Sequence, residues 1–248
     1  MEFIDNFSDK SDPYARARPR YPDALFAFIA AESPARERAW DCATGSGQAA
    51  LGLARHFACV DATDASREQV ANALVDPRVR YSVQTAERTD FPGRAFDAVC
   101  VAQALHWFDL ARFYPEAQRV MKPGAVFAAW GYTRHRVTPQ IDAAFEECFL
   151  APLEPYWPVQ NAKLWAGYRD EPFPFVPIAA PEFAIEMRWT LAQLIDYAGT
   201  WSATRRYVDQ VAPNFLERAR AAIEPAWGRN EVRVVTMPLS LRCGRYLP

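Results

Sequence analysis

The chain has 248 residues, half of them hydrophobic, and a formal net charge of -2. This composition excludes a disordered chain and indicates no nucleic-acid partner, which would favour a strongly basic surface. The length allows one domain with an insertion and a sizeable core. The five cysteines are scattered without a C-x-x-C pair, so we expect no disulfide framework, no structural zinc and no other metal.

The sequence shows neither a signal-peptide pattern nor a long uninterrupted apolar segment. We therefore expect a cytoplasmic protein with no membrane partner and no obligate protein partner.

In the first half, apolar runs alternate with helical patterns. Residues 1–35 form a polar, aromatic N-terminal segment and a first helix that begins near Pro22. Helical patterns at 47–57 and 109–121 separate some of the later runs. Alternation of this kind predicts a parallel sheet covered on both faces. The apolar runs lie near 38–42, 58–63, 79–83, 96–102 and 125–131.

The composition changes at residue 132. Residues 132–182 are rich in proline and aromatic residues and too apolar for a linker, so we predict an inserted cap over the site. We expect residues 36–131 to form the ligand-binding core, and 183–248 to complete the sheet and a second pocket. In this last part the patterns predict a strand at 183–189, helices at 190–199 and 204–227, and closing β-structure at 232–235 and 239–241.

The segment from Trp40 to Gln48, WDCATGSGQ, places a carboxylate at the end of a short apolar strand, followed by a small-residue loop and a helix. Small residues let a ligand lie against the backbone, and the N terminus of the helix offers free N–H groups. This pattern predicts a site for a nucleoside-type cofactor.

Two interpretations of this loop compete. Gly45 to Ala50 matches G-x-G-x-x-A, and Asp64 follows about twenty residues later, as in dinucleotide-binding proteins. Asp41, however, stands before the loop, where a carboxylate would repel a pyrophosphate and suit a ligand with an ammonium and a sulfonium. The position of Asp41 favours the second interpretation, but the loop alone leaves both open.

The order of later motifs adds to this pattern. Asp64 is followed by Ala86-Glu87, by the run 96–108 ending in His106-Trp107-Phe108, and by RVMKPGAVF at 119–127. Together, over roughly residues 7–131, these motifs resemble the class I S-adenosylmethionine-dependent methyltransferases, particularly the small-molecule group that includes trans-aconitate methyltransferase. The resemblance implies an α/β fold: a Rossmann-like, mostly parallel sheet with helices on both faces, an antiparallel closing strand and an inserted cap.

The resemblance also implies a cofactor site. Asp41 would lie near the methionine ammonium, Asp64 would accept hydrogen bonds from both ribose hydroxyls, and the Ala86 N–H would meet the adenine. Helix capping is the alternative for both aspartates. Ala43 replaces a glycine common in relatives, and Thr85 replaces an acid. The predicted cofactor-binding residues are Arg18, Asp41, Ala43, Gly45, Gly47, Gln48, Asp64, Ala65, Ala86, Glu87, Gln103, Ala104 and Trp107.

Fewer residues are predicted to bind the methyl acceptor than to bind the cofactor. Tyr14 and Arg18 belong to a segment that resembles the family's lid, and Tyr14 and His106 are the candidates for catalysis and substrate binding. His106 would orient the substrate or accept a proton, with plain packing as the alternative. Trp201 and Arg205 are predicted to line the acceptor pocket.

These observations predict methyl transfer from S-adenosylmethionine to a small molecule by in-line displacement, with catalysis mainly by positioning and exclusion of water. Arginines near 16–20, 134–136 and 205–206 make a carboxylic acid the leading hypothesis for the acceptor. A carboxylate needs no general base, whereas a hydroxyl or amine would need one, such as His106. The alternatives are an NAD-dependent oxidoreductase and a non-catalytic cofactor-binding protein on the same fold.

Overall fold

The structure, a computed structural model, describes residues 20–248. The predicted lid residues Tyr14 and Arg18 lie outside the described residues. Five parallel strands form the first part of the sheet, in the spatial order β3-β2-β1-β4-β5. They are β1 Arg38–Cys42, β2 Cys59–Asp64, β3 Val79–Val83, β4 Phe96–Ala102 and β5 Met121–Tyr132.

The sheet is closed by antiparallel strands from the second half of the chain. They are β6 Val176–Pro177, β7 Ala184–Trp189 and β8 Arg233–Arg245. The second half of β8 pairs with β5 and β6, and its first half pairs with β7. The Rossmann-like, mostly parallel sheet with an antiparallel closing strand, predicted from the sequence, is confirmed.

Ten α-helices, within residues 20–248, cover the sheet. They are α1 Asp23–Glu32, α2 Gln48–Leu53, α3 Arg67–Ala71, α4 Leu110–Val120, α5 Pro139–Phe145, α6 Ala151–Leu153, α7 Asn161–Trp165, α8 Leu191–Gly199, α9 Ser202–Gln210 and α10 Phe215–Trp227. None of these described helices is both long and apolar enough to cross a bilayer. Within the same residues, no group of His, Cys, Asp or Glu side chains is arranged to hold a metal ion.

Alternate residues of the buried strands point to opposite faces of the sheet, so their side chains belong to two separate hydrophobic cores. In β1, for example, Ala39 packs into one cluster with α1, α2, α8 and α10, while Trp40 packs into the other. The second cluster contains α4 and, from the cap region, Leu164, Tyr168 and Phe175. The second core therefore joins the parallel sheet to the segment that follows β5.

Three predicted elements differ from the structure. The helix predicted at 204–227 is wrong as a single helix, because the chain breaks at Pro213, which has no backbone N–H to continue α9. The two short runs near 232–241 form one long strand, β8, that continues through Pro238. The helix predicted at 47–57 ends at Leu53, and a turn follows.

Candidate functional site

The loop after β1 contains three left-handed residues. Ala43, Gly45 and Gly47 have φ angles of 56°, 55° and 86°. The Thr44 N–H donates to the carbonyl of Thr63 at 2.8 Å, which holds the loop against the end of β2. Alanine adopts this conformation at a cost, because its Cβ approaches the following carbonyl, so position 43 carries backbone strain that a glycine would not.

Two glycines of this loop serve different purposes. A Cβ on Gly45 would have only the Gln69 side chain nearby, at 3.9 Å, so the space above this residue is open among the described residues. A Cβ on Gly47 would lie 2.1 Å from the Tyr81 hydroxyl, which donates to the Leu74 carbonyl at 2.7 Å. Gly45 thus leaves room for a ligand, whereas Gly47 leaves room for Tyr81. Gln48 is the first residue of α2.

Asp41 is fully buried at the end of β1. Its Oδ2 accepts a hydrogen bond from the Thr44 hydroxyl at 2.5 Å, and its Oδ1 has no hydrogen-bond partner within residues 20–248. Burial raises the pKa of the carboxyl to about 7, although Thr44 and the Ala50 backbone act in the opposite direction. A buried, unsatisfied carboxylate oxygen is unfavourable on its own and suits a cationic donor.

Asp64 joins the loop to the end of β2. Its Oδ2 accepts from the Gly45 N–H at 2.8 Å, and its Oδ1 accepts from the Ser66 N–H at 2.9 Å. The N-cap of α3 is Ser66, which accepts from the Gln69 N–H, and Ala65 lies between the two. These two bonds hold the end of β2 against the glycine loop and against the start of α3.

Ala86 and Glu87 lie in a turn after β3. Ala86 is nearly buried in the second core. The Glu87 carboxylate accepts from the backbone N–H of Asp109 at 3.2 Å, just before α4 begins. Glu87 therefore holds the N terminus of α4, a structural role that the sequence analysis did not predict.

Gln103 and Ala104 follow β4 and lead into a 3₁₀ turn, Leu105–Trp107. Gln103 has a φ of 57°, and its N–H donates to the Trp130 carbonyl at 2.8 Å. Its side-chain Oε1 is buried without a hydrogen-bond partner among the described residues. The strand end therefore turns this amide towards β5.

A cavity of about 420 Å³ opens beside this turn. The cavity lies between the ends of β4 and β5, the segment 133–165, and helices α8 and α9. It brings together five residues that the sequence analysis had assigned separately to the cofactor and to the substrate: Gln103, His106, Trp107, Trp201 and Arg205.

His106 is buried and forms part of the cavity wall. Burial, together with the nearby Lys163, lowers the pKa of His106 to about 4. Its Nδ1 lies 3.1 Å from the Tyr168 hydroxyl. A second histidine on the wall, His135, stands edge-on to Phe145 at 4.4 Å, and burial lowers its pKa to about 4 as well. Both imidazoles are therefore neutral at pH 7.

The remaining walls combine aromatic side chains with charged side chains of both signs, because Glu146 and Glu154 line the cavity together with three arginines. Trp201 packs against Phe149 and Trp157, with ring centroids 5.8 and 5.6 Å apart, so it serves both the core and the cavity. Arg205 lies in α9 beside Arg206, whose Nη1 donates to the Tyr156 carbonyl at 3.3 Å.

Comparison with known proteins decides the family. A methyltransferase domain family matches residues 40–129. A solved structure from Anaeromyxobacter dehalogenans, provisionally described as a type II methyltransferase, is 44% identical, covers 93% of this chain and 99% of its own, and superposes with a TM-score of 0.88. The chain belongs to the class I S-adenosylmethionine-dependent methyltransferases.

Other relatives agree with this assignment. A provisionally named methyltransferase of Dictyostelium discoideum is 28% identical over 96% of this chain and 94% of its own. A solved Bacillus halodurans structure, 17% identical with a TM-score of 0.53, covers 91% of this chain and 99% of its own and shares the fold. None of these names specifies a methyl acceptor.

The cofactor of this methyltransferase is S-adenosylmethionine. The interpretation of Gly45 to Ala50 as a dinucleotide fingerprint is therefore wrong. The physical reason lies in Asp41, whose buried carboxylate stands directly before the glycine loop and would repel a pyrophosphate. The unpartnered Oδ1 of Asp41 and the open space over Gly45 fit a cationic amino-acid group lying on the loop.

Sequence reasoning missed Asn161, on the cavity wall, and Tyr168, which lies behind the wall residue His106. The Asn161 Oδ1 is buried without a partner in the part of the chain that the structure describes, and it belongs to the cavity wall. Tyr168 supports His106 from behind. Both residues lie in the proline-rich segment, where no local motif distinguishes them from packing residues.

Proposed function

We propose that this methyltransferase transfers a methyl group to a small molecule that carries a carboxylate, and that it forms a methyl ester. The cavity carries the proposal. Its volume of about 420 Å³ suits a small ligand. Its wall holds Gln103 and Trp107, which are also predicted cofactor residues, together with Arg205 and Arg206 of α9.

We propose that Asp41, Gly45 and Asp64 hold the cofactor, with Asp41 at the ammonium and Asp64 at the ribose. The turn at Ala86 and Glu87 would border the adenine. When bound, S-adenosylmethionine supplies a methyl group on a positively charged sulfur, which makes that methyl electrophilic. Charge-assisted hydrogen bonds from ligand to carboxylate are the stronger class, so the two aspartates carry most of this recognition.

The properties of His106 favour an acid as the acceptor. A general base works best with a pKa near the working pH, and burial lowers the pKa of His106 to about 4. A phenol or an amine would need a stronger base than this. A carboxylate is already ionised near neutral pH, so the protein has only to orient it and exclude water.

Other parts of the site remain predictions. Tyr14 and Arg18 would form a lid over the cofactor, Arg18 would pair with the methionine carboxylate or with a substrate acid, and residues 132–182 would act as the acceptor cap. We likewise keep the expectations of a cytoplasmic location and of no nucleic-acid, membrane or obligate protein partner. The resemblance to the small-molecule group that includes trans-aconitate methyltransferase likewise stays a prediction.

The test is a panel of acceptors assayed with the full chain and S-adenosylmethionine. The panel holds aliphatic and aromatic carboxylic acids, each paired with the alcohol, phenol or amine of the same skeleton. Release of S-adenosylhomocysteine and the mass of the methylated product are measured. We expect methyl esters from acids and no product from their partners. Turnover of phenols alone would contradict the proposal of a carboxylic acid as the methyl acceptor. Cofactor binding without turnover of any compound would favour a non-catalytic protein.

A further inference from the structure

Tyr168 contacts His106, the cavity histidine that is predicted to orient the acceptor or to accept its proton. It lies just past α7, its side chain is 1% exposed, and its hydroxyl is 3.1 Å from the Nδ1 of His106. The two rings are stacked, with centroids 6.2 Å apart. Tyr168 has a φ of 57°, and Gly167 before it has a φ of 64°. The backbone therefore makes a left-handed turn here, which positions the Tyr168 ring beside His106.

This turn is anchored from the closing strand. Arg242 of β8 donates from Nη1 to the carbonyl of Tyr168 and, at 2.8 Å, to the carbonyl of Glu171. The Arg242 guanidinium lies 4.3 Å from the centre of the Phe173 ring. Lys163 and Glu171 form an ion pair at 3.1 Å across the same turn. The backbone of Tyr168 is therefore fixed by the sheet and does not depend on a ligand.

The proton on His106 can be located by counting donors and acceptors. A neutral imidazole has one N–H and one lone pair, and a tyrosine hydroxyl has one proton to donate. Within residues 20–248, the Nδ1 of His106 is the hydrogen-bond partner of the Tyr168 hydroxyl, and no other is present. If Nδ1 carried the proton, the buried O–H of Tyr168 would have no acceptor, which costs about 1–3 kcal/mol. The hydroxyl must therefore donate to Nδ1.

We propose that Tyr168 is a positioning residue that holds His106 as its Nε2–H tautomer, with Nε2–H available as a donor to an anionic oxygen of the methyl acceptor. The tautomer follows from the geometry, and the role towards the acceptor rests on the proposed function. Because this tautomer has no free lone pair, an acceptor that must lose a proton finds no base at His106. Tyr168 thereby contributes to selection of carboxylates.

The first test reads the tautomer directly. The full chain is labelled with ¹⁵N-histidine, and side-chain nitrogen spectra are recorded at pH 7, with the signals of His106 assigned by their loss in His106→Gln. We expect a protonated Nε2 and an unprotonated Nδ1 in the wild type. In Tyr168→Phe the Nδ1 signal should move towards the average of two exchanging tautomers. A protonated Nδ1 in the wild type would overturn the proposal, whatever the variants do.

Tyr114→Phe is the matched control. Tyr114 is also buried, it packs edge-on to Phe175 with centroids 5.7 Å apart, and its hydroxyl has no hydrogen-bond partner among the described residues. Removal of that hydroxyl should leave the His106 spectrum unchanged. An equal shift in both variants would mean that His106 responds to packing in general, which contradicts a specific role of Tyr168.

The second test uses the acid with the highest turnover in the panel. Tyr168→Phe should raise its KM by about tenfold and change kcat by less than about threefold, while Tyr114→Phe should change neither. An unchanged KM in Tyr168→Phe would overturn the role towards the acceptor. If no acid is turned over, the proposed function fails, and the nitrogen spectra still decide the tautomer.

Discussion

The proposed cofactor side and the proposed acceptor side of this methyltransferase are built in different ways. On the cofactor side, short loops at the ends of β1 and β2 use backbone N–H groups and the two carboxylates of Asp41 and Asp64, which lie close in sequence. On the acceptor side, the wall comes from three separate segments, 103–107, 132–165 and 197–206. The first site depends on loop conformation and the second on aromatic packing. Substitutions should therefore affect the two sites independently.

The largest expected effect is the change in protein stability with pH that the Asp41 carboxyl causes. It can be separated from the pH dependence that the cavity histidines cause. The carboxyl of Asp41 has a pKa of about 7 in the folded chain, above its ordinary value of 3.8. Its contribution to stability is present at low pH and is lost as the pH rises from about 4 to about 7. Because the pKa rises from 3.8 to about 7, at about 1.36 kcal/mol per pH unit, the free energy of unfolding should fall by about 4 kcal/mol over this range.

Asp41→Asn should remove this loss, because an amide does not ionise. The free energy of unfolding, measured in urea at several pH values without cofactor, should therefore favour the variant increasingly from about pH 4 to about pH 7 and level off at higher pH. His106 and His135, whose pKa values are lowered to about 4, destabilise both proteins equally in acid and cancel in the difference. A difference that does not change with pH would contradict the buried, unpaired Oδ1.

The next effect concerns cofactor affinity alone. Asp64→Ala removes the carboxylate that we propose accepts two charge-assisted bonds from the ribose hydroxyls, worth about 1.5 kcal/mol each, so the Kd for S-adenosylmethionine should rise about 100-fold in calorimetric titration. Asp61→Asn is the control. Asp61 lies on the same strand but pairs with Arg38 at 2.6 Å, so its replacement should leave the Kd nearly unchanged. Similar losses in both variants would indicate general damage to β2.

A smaller effect should appear on the acceptor side. In Gly131→Ala the new methyl would lie 2.3 Å from Leu164 Cδ1 and 2.5 Å from Gln103 Oε1, so both must move, at a cost of about 1–3 kcal/mol. We expect a larger rise in the KM of the acceptor than in the Kd for the cofactor, for which Gln103 is also a predicted ligand, measured by kinetics and calorimetry on one preparation. A loss of cofactor binding would show that the two sites are not independent.

The smallest effect tests the strain at Ala43. Ala43→Gly should stabilise the protein by at most about 1 kcal/mol, because relief of the left-handed alanine is partly offset by greater freedom of the unfolded chain. Arg94→Gly replaces a residue with the same φ of 56°, far along the chain from the loop. Both variants should gain similar stability in thermal denaturation. A destabilised Ala43→Gly would mean that its methyl group packs usefully.

The contrast between the two sides also explains what the sequence could predict. Strands β1 and β4 occupy the predicted ranges because buried parallel strands are continuous apolar runs; β3 also occupies its predicted range, although it lies at the sheet edge and is only partly buried. The cofactor loop was equally visible, since its glycines and aspartates are local. The residues of the predicted cap could not be identified in this way. The position of Tyr168, for example, depends on a hydrogen bond from Arg242, which lies 74 residues away in the sequence. The break between α9 and α10 was missed although Pro213 marked it.

The position of β8 has a consequence for the newly made chain. This strand is encoded last among the described strands, yet it lies inside the sheet, between β5 and β6. While the ribosome is still adding residues 133–232, the hydrogen-bonding edge of β5 has no partner, and exposed edges of this kind invite pairing with other chains. We therefore expect nascent chains of this methyltransferase to need protection by a chaperone until the last strand has been made.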